Sequence, residues 1–388
     1  MTLTGFVLLY IAATIAIGVI AATRVKNTSD FALAGRSLPL PMVITATFAT
    51  WFGSETILGL PGRFIESGIA GVIEEPFGSG MALILVGTFF AHKLYKQNIL
   101  TLGDYYRDRY GRSVELLCSV AIVISYLGWV GAQVTALGLV INLITEGAVS
   151  MTTGMVIGAA VVLAYTMVGG MWSVAMTDFV QMIVIVVGLV AILWFATDLA
   201  GGMDKVVDYA RGRDLFHAFP EPTTTGWLFW ISAAMTMMIG SIPQQDVFQR
   251  VMSAKNLPTA VAGPILGGSF YILFAFVPMF IVVAAILVMP DAAEKMLSED
   301  PQQLLPTLVR DYMPMWLRVV FFGAVLSAVM STASATMLAP STIFVENVLR
   351  HFMKIDDRNM LRAMRLSVAV FAVCVCLLYT SDAADDKA

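Results

Sequence analysis

Ser331 and Thr332 stand side by side in GAVLSAVMSTASATMLAPSTIF (323–344), a stretch otherwise apolar enough to sit inside a bilayer. Neutral hydroxyls can hold sodium together with backbone carbonyls freed from a broken helix, without burying a compensating carboxylate. Most of the neighbouring hydroxyls, Ser327, Ser334 and Thr336, read as packing contacts or as donors to their own helix. A second candidate is Glu55, in ATFATWFGSETILGLPG (46–62). A carboxylate at membrane depth is costly and marks a functional site by default. Glu55 can coordinate a cation, pair with an amine on a solute, or be protonated or structurally paired. Asp178, in TDFVQ, is the third, either a functional acid or a helix-terminus charge. Glu74 and Glu75 read as a solvated vestibule face near the outer end of a span.

These groups need elements that hold them at depth. The 388-residue chain is 58% hydrophobic and 13% charged, with mean hydropathy +0.82. A soluble domain carries about 25% charged residues, so this composition is that of an integral membrane protein. A net charge of −4 with no basic stripe argues against nucleic acid as a partner. Cys118, Cys374 and Cys376 fall in apolar stretches without metal-ligand spacing and read as small core residues. Apolar runs of spanning length lie at about 3–23, 42–66, 70–92, 114–145, 153–170, 173–197, 227–250, 259–289 and 317–348, and a tenth begins near 366. The runs are continuous rather than alternating, which makes them helices and not barrel strands.

Two of the runs should not be straight. Gly53, Gly59, Pro61 and Gly62 interrupt the stretch at 42–66, and Gly240 and Pro243 interrupt TMMIGSIPQQDVFQR (236–250). With the first span set aside, the broken helices are the first and sixth of the remainder. An odd repeat of five helices reverses orientation, giving inverted repeats with an interrupted helix in each half. That is the sequence mark of a secondary transporter's binding site. Unwound backbone is tolerated at such depth only where it lines a cavity or is buried in protein. The bland alternative is that the glycines simply allow close helix packing.

No positive charge precedes the first run, so it is not a cleavable signal. Placing the N-terminus outside gives the cytoplasmic segments about twice as many Lys and Arg residues as the outer ones, as the positive-inside rule requires. The last run, RLSVAVFAVCVCLLYT, turns abruptly into SDAADDKA and is short for a crossing. The expectation is one transmembrane domain over 1–378 whose last span is truncated, with 379–388 a non-native tail. A re-entrant helix with a solvated acidic tail is the alternative.

YTMVGGMWSVAMTDFVQ (165–181) and GSIPQQDVFQRVMSAKN (240–256) resemble the two signature regions of the sodium:solute symporters, and AVMST (328–332) resembles that family's sodium-site helix. The similarity covers about residues 3–378. It implies an all-α, LeuT-like transporter fold of five plus five inverted helices, preceded by one extra N-terminal helix. Members have about thirteen spans, so the second repeat here would be incomplete. The resemblance also implies a sodium site from the carbonyls of Ala49, Phe52 and Ala328 and the hydroxyls of Ser331 and Thr332, with Asp178 at the cytoplasmic sodium exit. GRS (35–37) is a polar pre-helix loop that the family shares.

Within the family, TWFG (50–53), IPQQDVFQRV (242–251) and VVFFGAVLSAVMST (319–332) look nearest to the choline-transporter branch. Trp51 and Trp129 sit where that branch has aromatic residues, as cation–π recognition of a quaternary amine requires. Gln244 replaces an expected tryptophan and Ser79 an expected tyrosine, so half of the aromatic cage is polar. Trp51, Glu55, Thr56, Trp129, Gln244 and Gln245 form the expected solute-contact set.

The resulting expectation is a symporter in the cell (plasma) membrane that imports a small organic solute by alternating access, with Na⁺ as coupling ion. A symporter-like domain of a sensor protein and a proton-coupled carrier are the alternatives. An intramembrane enzyme would need a nucleophile–base or metal-ligand constellation, and His92, His217 and His351 all fall at span ends or loops. A passive channel fits the broken helices less well than alternating access.

Overall fold

Long helices form wherever the apolar runs are unbroken, because in hydrocarbon the backbone must satisfy its own polar groups. The computed structural model describes residues 3–353 and 356–385 and is helical almost throughout. Among the described residues, seven helices are long and apolar enough to cross a membrane: Leu3–Ala22, Ile73–Gln97, Arg112–Ile144, Met151–Leu199, Leu257–Val288, Met315–Phe352 and Arg358–Tyr379. The pair Thr224–Gly240 and Gln245–Ser253, bent by 47°, makes an eighth if counted as one span.

Nine of the ten expected runs map onto this set with explicable differences, and the run at 42–66 is instead divided between the shorter helices Leu40–Trp51 and Leu60–Gly71. Met151–Leu199 has 49 residues. At 1.5 Å per residue it would be ~74 Å long, more than twice the ~30 Å hydrocarbon core. It is not one straight rod: Gly170 has φ 51° and ψ −138°, which separates two helices where the sequence places the boundary between 153–170 and 173–197. A side chain at Gly170 would also collide with the Phe31 carbonyl, 2.3 Å from an added Cβ. The final helix begins at Asp357, earlier than its apolar run, so the 22 residues of Arg358–Tyr379 are long enough to cross where the run alone reads as too short. Of the expected tail, residues 386–388 lie outside the described residues.

Both expected breaks are present. The helix Leu40–Trp51 ends at Phe52, whose ψ of 71° leaves the helical region. A π-helical turn at Glu55–Gly59 follows, and the helix resumes at Leu60–Gly71. Pro61 falls in that helix's first turn, where its missing N–H has no ladder partner to lose. In the second broken span, Thr224–Gly240 and Gln245–Ser253 flank a turn containing Pro243.

Met315–Phe352 is the central element: 83% of its apolar window is buried inside the protein, against 22% for Leu3–Ala22 and 28% for Arg358–Tyr379. The outer helices thus keep an apolar face for lipid, and the central one is enclosed. It packs against Met151–Leu199, Arg112–Ile144 and Leu40–Trp51. The two broken spans are tied at one end, where Leu38 N donates to the Ser253 carbonyl (3.0 Å) and Lys255 N to the Leu38 carbonyl (2.9 Å). The GRS loop that precedes the first broken span is clamped there. Arg36 donates to the Tyr95 carbonyl at 2.8 Å and stacks its guanidinium 4.1 Å from the Tyr95 ring.

Candidate functional site

The break in the first span frees carbonyls. The Gly53 N–H turns to the Trp51 carbonyl (3.0 Å) instead of continuing the ladder to Ala49. The central helix supplies hydroxyls to the Ala49 oxygen: Ser331 donates at 3.1 Å and Thr332 at 3.3 Å. Other hydroxyls on that helix turn back on their own backbone, Ser334 to Ser331, Thr336 to Thr332, Ser341 to Met337 and Thr342 to Leu338. Ser331 and Thr332 therefore differ from their neighbours in reaching across to the break. Phe52 and Ala328 are both fully buried, the first capping the broken half-helix and the second one turn before Thr332.

Asp178 is also here. Its Oδ1 accepts from Ser331 Oγ at 2.5 Å, while its Oδ2 is buried without a hydrogen-bond partner among the described residues. Asp178 is fully buried and faces the Ser331 hydroxyl, so it is not a solvated helix-end charge. Ser331 has one proton and two acceptors, so it cannot satisfy Ala49 and Asp178 together. A cluster of buried oxygens with too few hydrogens to share suits a small hard cation. Gly53 keeps the assembly tight, since a Cβ there would lie 2.8 Å from Thr332 Oγ1 and 3.1 Å from Gln133 Oε1. Gln133, on Arg112–Ile144, also accepts from the Ser54 hydroxyl at 3.1 Å.

On the other side of the break lies a cavity of about 350 Å³, lined by Trp51, Glu55, Glu75, Tyr126, Trp129 and Gln244 among others. That volume suits a small organic molecule. Trp51 and Trp129 meet edge to face with centroids 6.2 Å apart, and Tyr126 stacks on Trp129 at 5.9 Å. Asp246, fully buried at the start of the second broken span's second half, Gln245–Ser253, holds two of these rings in place. It accepts from Trp51 Nε1 at 3.3 Å and from the Tyr126 hydroxyl, and its backbone N–H donates back to that hydroxyl at 3.0 Å.

The structure brings Trp51, Glu55, Trp129 and Gln244 of the expected set to one cavity. Two others stand behind it. Thr56 is buried and bonded to Glu75 Oε1 (3.0 Å) and Tyr271 (3.2 Å), and Gln245 turns away to accept from the Leu102 N–H at 2.9 Å. Glu75 requires a correction. It is not a solvated vestibule face but a half-buried cavity residue, which accepts from the Tyr271 and Thr56 hydroxyls. Ser79, on the expected tyrosine position, is fully buried and does not line the cavity. Sequence reading also missed Tyr126 and Asp246. An acid inside an apolar span was the available signal for Asp246.

The model of the sodium:solute symporter family matches residues 31–387. The chain is 29% identical over 378 residues to the human (Homo sapiens) "High affinity choline transporter 1", covering 92% of this chain and 63% of that protein. It is also 26% identical over 382 residues to zebrafish (Danio rerio) "Sodium/glucose cotransporter 4", over 88% of this chain and 57% of that protein. The chain thus spans less than two thirds of the length of these curated relatives. Among solved structures, a Na⁺-coupled sialic acid symporter in a substrate-bound outward-open state superposes with a TM-score of 0.87 at 19% identity, over 98% of this chain and 80% of the other. A nucleobase-cation-symport-1 family transporter in a closed conformation superposes with a TM-score of 0.60 at 16% identity, over 90% and 73%. These likenesses show the fold, which is the LeuT-like inverted-repeat arrangement of helices.

Proposed function

Since the chain belongs to the sodium:solute symporter family, we propose that it is the transporting part of a sodium-coupled symporter that imports a small organic solute by alternating access. The observation that carries this reading is the convergence of Ser331 and Thr332 on the carbonyl of Ala49 at the break. Sodium bound by the carbonyls of Ala49, Phe52 and Ala328 and the hydroxyls of Ser331 and Thr332 would join the first broken span to the central helix. An ion that bridges two elements in only one conformation shifts the population toward that conformation. Asp178, bonded to Ser331, would receive the ion as it leaves.

The solute occupies the cavity beside Trp51, Glu55, Trp129 and Gln244, which shares the broken helix with the ion site. Sodium that orders the break therefore also orders one wall of the solute site, which is the physical basis of coupling. The distribution of Lys and Arg supports an N-terminus on the outer side of the plasma membrane, with the chain crossing many times.

Binding of radiolabelled sodium to the purified chain tests this reading. The wild type should bind sodium saturably, and Ser331→Ala with Thr332→Ala should weaken that binding at least tenfold. Unchanged binding by the double variant would sink the site.

A further inference from the structure

We propose that the cavity selects a small organic cation with N–H donors on its charged nitrogen, a primary or secondary ammonium, over a quaternary one. The proposal deepens the solute reading above and rests on it.

The lining supplies acceptors and has few free donors. Glu55 and Glu75 contribute two carboxylates, and no Lys, Arg or His is among the lining residues. Several lining donors are already engaged: Trp51 Nε1 and the Tyr126 hydroxyl by Asp246, and Ser125 Oγ by the Ile122 carbonyl at 2.7 Å. A solute carboxylate would meet two acidic side chains and no cationic lining residue. A positively charged solute would meet both carboxylates and the aromatic wall of Trp51, Tyr126 and Trp129, where cation–π attraction adds to the pairing.

The kind of cation follows from hydrogen counting. A quaternary ammonium presents only C–H groups, so it would remove water from the two carboxylates without replacing their donors. A buried acceptor left unpaired costs more than a hydrogen bond gains. A primary ammonium carries three N–H donors, and the cavity offers two acceptor groups in Glu55 and Glu75. A cage for a quaternary amine would instead set an aromatic face where Gln244 stands.

Ethanolamine and choline share a hydroxyethyl skeleton and differ only in carrying N–H or N–CH₃ groups. Their affinities for the full chain in detergent, titrated in NaCl, decide the matter. Ethanolamine should bind at least ~10-fold more tightly than choline, and Glu55→Gln should reduce that ratio toward one. Glu75→Gln should do the same, and Glu55→Gln keeps the test open if the Glu75 variant does not fold. Choline binding as tightly as ethanolamine, or no binding of either, overturns the proposal. The sodium-induced rise in melting temperature, measured without amine, separates the two readings. If that rise is present while choline is preferred, only the amine selectivity falls. If the rise is absent, the ion site falls whichever amine binds.

Discussion

The Ser331 hydroxyl lies 3.1 Å from the Ala49 carbonyl, across a sequence separation of 282 residues. Ala49 belongs to the first broken helix and Ser331 to the most deeply buried of the membrane-length helices among the described residues. The contact exists because the backbone turns away at Phe52 and Gly53, leaving the carbonyl of Ala49 to a partner outside its own helix.

Gly53 is the residue on which that geometry depends. A Cβ there would stand 2.8 Å from Thr332 Oγ1, closer than real contacts allow. Gly53→Ala should displace the Thr332 hydroxyl, at an overpacking cost of ~1–3 kcal/mol, and abolish most of the sodium-induced rise in melting temperature. A rise equal to that of the wild type would show that Thr332 is not an ion ligand.

Tyr126 bears on the solute alone. Its hydroxyl both donates to Asp246 and accepts from the Asp246 backbone, fixing the ring that stacks on Trp129. Tyr126→Phe should weaken amine binding by about tenfold, equivalent to roughly one strong hydrogen bond, while sodium stabilisation stays as in the wild type. Equal loss of both responses in a melting assay would contradict the separation of the two sites.

Asn347 secures the far end of the central helix. Its Nδ2 donates to Asp104 Oδ1 (3.0 Å) and Glu115 Oε1 (2.9 Å), and its Oδ1 accepts from Thr101 at 2.6 Å, all within a buried cluster. Asn347→Leu would leave three polar groups short of a partner, each costing ~1–3 kcal/mol when unsatisfied. Denaturant unfolding in detergent should show a loss of at least ~2 kcal/mol. A loss below ~0.5 kcal/mol would mean that water replaces the amide without penalty.

The helix breaks were legible in the sequence because glycine and proline act on the backbone locally, whatever surrounds them. Gly53 and Pro61 mark the first break, and Gly240 and Pro243 the second. Ser331 and Thr332 stood out in the sequence as an adjacent hydroxyl pair on an apolar helix, and both reach the Ala49 carbonyl. Glu75, Tyr126 and Asp246 were not assigned to the solute site because what makes them cavity residues is tertiary. Glu75 depends on Tyr271, 196 positions away, and Asp246 on Tyr126, 120 positions away. Thr56 and Gln245 show the converse: sequence neighbours of cavity residues on a helix point elsewhere, because successive side chains are about 100° apart.

The most direct measurement is the melting temperature of the full chain in NaCl and in KCl at equal ionic strength, for the wild type and for Ser331→Ala with Thr332→Ala. Sodium at about 100 times its dissociation constant should stabilise the wild type by ~2.7 kcal/mol. The wild type should melt at a higher temperature in NaCl, and the double variant should show none of that difference. Equal melting in the two salts, or an undiminished sodium shift in the double variant, would contradict the sodium site.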